Sequence, residues 1–443
     1  MISTLPLSIA LLLLSTTADA APRPVGGLSM DLRRRRPAAR SFDEAGPWAR
    51  NQREAIHAKY GRALDQDDRR RSTGTNLLVN QDTDSSFYGS LALGTPAVSY
   101  NIVFDTGSAD FWIASSNCTS GCENVPTFDP SSSSSFKSAN QDFSITYGTG
   151  HASGTLATDV VQLAGFSVTD QVFAPASEVA TGLLSSPVSG IMGMAWQSIA
   201  SSNAMPFWQN LVANNAWDQP LMAFQLSRYL NVAGAQTLEQ GGQFSMGFLN
   251  SSLYTGDVEY IDLVDDGSYW LVAMTGITVQ GNSVSPGSGS TAYAAIDTGT
   301  TLVGGPSDEI ANIFSNIPDS VAGTGDYDGY YLYPCDTSVN ITLNFGGKDW
   351  SISSDDFLLQ QVSRSQCLGA FFVFDSGTSG GSSPSWIVGD TFLKNVYSVY
   401  RYSPPAVGFA ELSSTATAMN GDIQAEVPQA TIGSVAASVA ATS

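Results

Sequence analysis

The chain carries one short phrase twice, Val103-Phe104-Asp105-Thr106-Gly107-Ser108 and Ala295-Ile296-Asp297-Thr298-Gly299-Thr300, each an apolar run ending in Asp-Thr-Gly and a hydroxyl residue. A single Asp-Thr-Gly is an ordinary turn sequence. Two copies 192 residues apart, alike on both sides, constrain the fold. Each is followed by an apolar-apolar-Gly step, Ile191-Met192-Gly193 and Ile387-Val388-Gly389, at Asp-to-Gly offsets of 88 and 92. Near-equal offsets read as a tandem duplication, two similar lobes meeting face to face. Asp375-Ser376-Gly377-Thr378 looks like a third copy, but Asp375 stands only 14 residues before Gly389. That leaves no room for a lobe, so Asp375 is not expected in the site.

At 443 residues the chain is long enough for a presequence and two lobes. Residues 1–20 read as a secretory signal, with the apolar run Leu5–Leu14 and the small residues of Ala18-Asp19-Ala20 at a cleavage point. Of the 19 Lys and Arg, 13 lie between Arg23 and Arg71, so residues 21–71 read as a basic, detachable prosegment that ends near Arg69-Arg70-Arg71. The remaining chain holds 32 acids against six bases, a formal charge near −26. Such a body seeks neither nucleic acid nor an anionic membrane. Residues 72–262 and 263–412 are the expected N-terminal and C-terminal lobes. After Leu412 the chain turns to Ala, Ser, Thr and Gly, so 413–443 reads as a flexible small-residue tail, its weakly apolar end leaving a lipid-anchor signal as the other reading.

The middle of the chain has an all-β texture: short Val-, Thr- and aromatic-rich runs broken by turn residues, as in Tyr88–Leu93, Gly94-Thr95-Pro96 and Tyr100–Phe104. The best helix signal is Ser307–Ile317, where Ile310, Ile313, Phe314 and Ile317 recur at helical spacing. The four cysteines fall as Cys118 with Cys122 and Cys335 with Cys367. Three connectivities are open, and spacing together with a secretory context favours these two local disulfides. Sequons at Asn117, Asn250 and Asn340 agree with a secreted glycoprotein.

Elimination points to the chemistry. The expected processed body has one histidine, His151, and no cysteine beyond the two pairs, so a Ser-His-Asp triad, a Cys-His pair or a zinc site has little to work with. No metal or cofactor is called for. Carboxylates remain. Two at close range cannot both ionise cheaply, so one keeps a proton, the other accepts one, and a water between them becomes the nucleophile. Gly107 and Gly299 let backbone N–H groups approach the carboxylates. Thr106 and Thr298 offer hydroxyls to lock one loop to the other, and Ser108 and Thr300 can bond the outer carboxylate oxygens.

With these residues in view, the sequence resembles pepsin-like aspartic proteases, and most of all secreted fungal ones, from about Ser85 to Leu412. The resemblance rests on Asp105-Thr106-Gly107-Ser108 with Trp112, on Ile145-Thr146-Tyr147-Gly148-Thr149-Gly150, on Gly190-Ile191-Met192-Gly193, on Asp297-Thr298-Gly299-Thr300-Thr301, and on Ile387-Val388-Gly389-Asp390. It implies a bilobal all-β fold with a cleft between lobes, and a hairpin flap carrying Tyr147, Gly148 and Thr149, supported by the Trp112 indole. It also implies that Asp105 and Asp297 share one proton, and that Lys59-Tyr60 of the prosegment fills the cleft of a zymogen. Some fungal relatives carry an acidic residue where Thr149 stands and accept Lys before the cut. Here apolar or aromatic residues are expected on both sides, with Leu183, Leu184, Val188 and Tyr269 as pocket walls. His151, just past the flap tip, reads as a surface residue. The expected protein is a secreted, extracellular, monomeric acid endopeptidase whose partners are peptide or protein substrates and its own prosegment. A non-catalytic peptide binder and a two-carboxylate glycosidase are the alternatives. The first is disfavoured by the intact aspartates and Tyr147, the second because its carboxylates stand about 5 Å or more apart.

Overall fold

A computed structural model describes residues 72–265, 267–375, 383–430 and 432–442. The expected signal peptide, the basic segment with Lys59 and Tyr60, and Ser376–Thr378 lie outside the described residues.

One strand arrangement occurs twice. Val98–Asp105 buries Tyr100, Ile102 and Phe104 at every second position, as a strand with one face on a core must. It runs parallel to Val188–Gly193, with Asp105 opposite Gly193, and Val188–Gly193 pairs antiparallel with Phe111–Ala114. In the second copy Tyr293–Ile296 runs parallel to Trp386–Val388, which pairs antiparallel with Val303–Gly305. The apolar-apolar-Gly strand is thus threaded, in both halves, between the strand that enters Asp-Thr-Gly and the strand that leaves it. Its glycine is required by proximity: a Cβ on Gly193 would lie 2.4 Å from the Ala109 backbone, and one on Gly389 would lie 2.0 Å from the Thr300 carbonyl oxygen.

A fourth strand completes each copy, parallel to the departing strand: Phe166–Val179 beside Phe111–Ala114, and Phe371–Val373 beside Val303–Gly305. Phe371–Val373 is the apolar run that precedes Asp375. Asp375 therefore belongs to a different position of the repeat from Asp105 and Asp297. It is exposed, and Oδ1 accepts the N–H of Ser307, at the start of the helix Ser307–Ser315, at 3.3 Å. That helix buries Ile310, Ile313 and Phe314.

The sheet that holds the first repeat continues beyond it. Gly74–Gln81, Leu238–Met246, Leu221–Leu226, Val396–Arg401, Ala406–Leu412 and Tyr254–Asp262 stand side by side, so strands from near both ends of the body pair in one layer. Both disulfides, Cys118–Cys122 and Cys335–Cys367, are formed. Among the described residues no helix is long and apolar enough to cross a membrane.

The segment beyond Leu412, expected to be a featureless tail, is folded onto the body. Asn420 Oδ1 accepts the Arg228 N–H at 2.9 Å, the Tyr229 hydroxyl donates to the Asp422 carbonyl at 3.2 Å, and Val427 packs on the cluster around Trp112. Ala437–Ala440 then adds a parallel strand to Phe166–Val179, burying Val439 to 9% exposure. Backbone pairing needs no particular side chain, which is why composition alone did not reveal it.

Candidate active site

The two Asp-Thr-Gly turns meet. Each threonine reaches across: Thr106 Oγ1 donates to the Ile296 carbonyl at 2.8 Å and accepts the Thr298 N–H at 2.9 Å, while Thr298 Oγ1 donates to the Phe104 carbonyl at 2.6 Å and accepts the Thr106 N–H at 3.1 Å. Four mutual bonds between buried groups fix the relative position of the turns. Within each turn the carboxylate is held by its neighbours. Gly107 N–H donates to Asp105 Oδ1 at 2.8 Å and the Ser108 hydroxyl to Oδ2 at 2.5 Å; Gly299 N–H donates to Asp297 Oδ1 at 2.8 Å and the Thr300 hydroxyl to Oδ2 at 2.6 Å.

Each carboxyl lies against the glycine of the opposing turn. The opposing glycines are what allow this. A Cβ on Gly299 would stand 2.2 Å from Asp105 Oδ1, and one on Gly107 would stand 2.5 Å from the Asp297 carboxyl carbon. Burial, and then the Asp297 charge, hold the Asp105 carboxyl well above the ordinary carboxylate range, against the lowering bond from Ser108. A buried pair so arranged retains a proton where isolated carboxylates have lost theirs.

Above the dyad, Lys137–Tyr147 and Gly150–Leu163 form a hairpin with Tyr147 opposite Gly150, so Gly148 and Thr149 are its two-residue tip. The Trp112 indole N–H donates to the Tyr147 hydroxyl at 2.8 Å. Burial and the nearby Asp105 carboxylate push the Tyr147 phenol far up, so it serves as a neutral hydroxyl. Leu184, Val188 and Ile191 share one buried cluster with Trp112 and Ile145, and Tyr147 and Leu183 pack on it. Burial, and then the Asp297 and Asp105 charges, push the Tyr269 phenol up. Of the four residues expected as pocket walls, Leu183 and Tyr269 are partly exposed, while Leu184 and Val188 are buried. His151 is exposed and 3.7 Å from Glu178.

Sequence reading missed three supports. Asp110, buried, accepts the backbone N–H groups of Ser201 and Ser202 at 2.7 and 3.0 Å and stiffens the turn after Ser108. Asp390 is buried at the end of the second threaded strand and pushed well up, first by burial and despite Lys394. An ion network joins distant segments: Lys394 Nζ bonds Asp84 at 2.6 Å and Asp356 at 2.8 Å, and Arg228 Nε bonds Asp356 Oδ1 at 2.8 Å. Burial alone would lower the Lys394 ammonium, and the two carboxylates reverse it. A cavity of about 370 Å³ lies between this network and Thr301, which follows Thr300 and donates to the Ser85 carbonyl at 2.7 Å. Neither Asp105 nor Asp297 lines it.

Comparison with known proteins agrees with this geometry. The sequence profile of the family described as Eukaryotic aspartyl protease matches residues 86–412. The chain is 47% identical over 353 residues to Major aspartyl peptidase 1 of Cryptococcus neoformans var. grubii, spanning 77% of this chain and 72% of that protein. It is 32% identical over 419 residues to an Aspartic protease of Phaffia rhodozyma, spanning 91% and 97%. To Pepsin A of Sus scrofa it is 34% identical over 336 residues, spanning 74% and 82%. A duplicated, interlocked pair of Asp-Thr-Gly turns and a family match over most of its length make this chain a member of the eukaryotic aspartyl proteases, an aspartic-type endopeptidase of the pepsin-like bilobal β fold.

Proposed function

We propose that the protein is a secreted acid endopeptidase, made as a zymogen, in which Asp105 and Asp297 activate a water between them. The observation that carries the reading is the close approach of two buried carboxyl groups, each held by one N–H and one hydroxyl of its own turn. One carboxylate takes a proton from the water as its oxygen attacks the peptide carbonyl carbon, and the other carboxyl gives its proton to the carbonyl oxygen. The gem-diol then collapses: a diol hydroxyl returns its proton to one carboxylate, the amide nitrogen is protonated from the other carboxyl, and the C–N bond breaks to acid and amine. The raised Asp105 carboxyl agrees with a pair that holds one proton between its members. Interlocked turns that press each carboxyl against the opposing glycine argue against glycosidase geometry, which needs the carboxyls about 5 Å or more apart.

Both carboxylates come from one chain, which supports action as a monomer. Leu183, Leu184, Val188 and Tyr269 wall the pockets that take apolar or aromatic side chains on either side of the cut. The basic segment 21–71 is the inhibitory prosegment, attracted to an acidic body while its carboxylates are ionised and loosened by acid, with Lys59 between the two aspartates and Tyr60 beside it.

The test is cleavage of a peptide library at acid pH by the wild type, Asp105→Asn and Asp297→Asn. Each variant should fold and lose turnover, since the dyad needs two titratable partners. Turnover retained by either one overturns the assignment. For the prosegment, the secreted proform is brought from neutral pH to about pH 4 and cleavage near Arg71 is followed. Lys59→Ala should process at higher pH than the wild type, and an unchanged onset removes Lys59 from the mechanism.

A further inference from the structure

The duplicated halves are alike around the carboxylates and differ below them. The residue after the threaded strand is Met194 in the first half and Asp390 in the second, both buried. The strands behind them differ in the same sense. Leu221–Leu226 and Val396–Arg401 pair antiparallel, with Ser398 opposite Phe224 and Tyr400 opposite Met222. Alternation puts these four side chains on one face, toward the core that holds Met222, Phe224 and Tyr400. The first strand offers that core only carbon and sulfur there. The second offers two hydroxyls.

No well-aligned hydrogen bond within the protein is formed by either hydroxyl or by Asp390 Oδ1, although all three residues are at most 2% exposed, and Thr106 and Ser398 are the groups placed to bond Tyr400. Tyr400 stands beside Thr106, Ser398, Asp297 and Asp390, its ring edge-on to Phe224 at 5.8 Å. A buried polar atom left unpaired costs about 1–3 kcal/mol. Buried waters typically make about three hydrogen bonds to groups of this kind.

We propose that Asp390, Ser398 and Tyr400 hold one buried water beneath the dyad, and that Tyr400, steadied by it, is a positioning residue for Thr106. The donors and acceptors balance. The water donates to Asp390 Oδ1 and to the Tyr400 oxygen and accepts from the Ser398 hydroxyl, which leaves the Tyr400 O–H free to donate. Thr106 Oγ1 gives its own proton to the Ile296 carbonyl and accepts the Thr298 N–H, so it retains one lone pair for Tyr400. Thr298 receives no such support from the Met222 and Phe224 side. The two Asp-Thr-Gly turns, equal in sequence, are therefore held unequally.

The inference rests on the dyad proposed above, and the experiment separates the two. Tyr400→Phe, Ser398→Ala and Asp297→Asn are assayed on one peptide substrate, with Tm measured for each. Tyr400→Phe should lower kcat about three- to tenfold, the worth of one buried hydrogen bond, with KM unchanged and Tm reduced. Ser398→Ala should move kcat and Tm the same way by less. A Tyr400→Phe enzyme with wild-type kcat and a raised Tm overturns the proposal, because the hydroxyl was then merely unpaired. A crystal structure with no water within bonding distance of Asp390 Oδ1 and Ser398 Oγ overturns it as well. Turnover surviving in Asp297→Asn would instead remove the dyad itself.

Discussion

Trp112 and Tyr147, 35 residues apart, are joined by an indole N–H that donates to a phenol oxygen over 2.8 Å, and this bond ties the flap to the strand leaving the first Asp-Thr-Gly turn. The flap tip has little else to hold it. No atom lies within 4 Å of a Cβ built on Gly148. Trp112→Phe and Tyr147→Phe should each keep the apolar packing and lose the bond, lowering kcat/KM on a peptide substrate about five- to tenfold. Equal values for Tyr147→Phe and wild type would show that the bond does not position the flap.

The glycines of the two turns are sites where one methyl group should silence a folded enzyme. Gly299→Ala drives a carbon into Asp105 Oδ1 and Gly107→Ala drives one into the Asp297 carboxyl, so the carboxyls must separate. Turnover should fall at least about a hundredfold, as a small misplacement of reacting groups can cost. Far-UV circular dichroism should be unchanged. Asp375→Asn, at an exposed helix start, should leave kcat/KM within about twofold of wild type.

Stability should decline as pH rises. Burial raises both Asp105 and Asp390, so the folded state holds protons that the unfolded chain releases in its ordinary range near pH 4. Below that range both states are protonated and stability is whole. Above it the unfolded state gains by ionising, and stability is lost as pH climbs through the raised folded values. Tm should be higher at about pH 4 than at about pH 7, and Asp390→Asn should flatten the slope. The opposite order of Tm values in the wild type would refute the account.

The repeat, the dyad and the flap were legible because each is local in sequence: a phrase of six residues, a glycine at a fixed offset, an aromatic at a hairpin tip. The ion network was not, since Asp84, Arg228, Asp356 and Lys394 come from four distant segments and each reads alone as a surface charge. Asp390 stands in the sequence only as the end of a motif, because nothing in a sequence says that a carboxyl will be buried. The segment after Leu412 misled for another reason. Small residues predict little burial, yet its strand is held chiefly by backbone bonds, as where the Ala441 N–H donates to the Thr169 carbonyl at 2.9 Å.

Removing residues after Leu412 should therefore cost stability. Val439 leaves the core and the edge of Phe166–Val179 loses its partner, a loss of about 2 kcal/mol from the side chain alone. Tm of the truncated chain should fall by a few degrees. An unchanged Tm would mean that the segment is not bound in solution.

The C-terminal strand also settles where the ends of the folded body emerge. Gly74 abuts Ala164 and Phe166, and Phe166 is the residue that pairs with Ala437, while Asn214 bonds the Ala440 carbonyl two residues before Ala216 accepts the Ser72 N–H. Start and finish share one edge of the protein, away from the cleft. A linker of a few residues could close the body into a ring, or graft it into another protein as an inserted domain, without passing across the substrate's path.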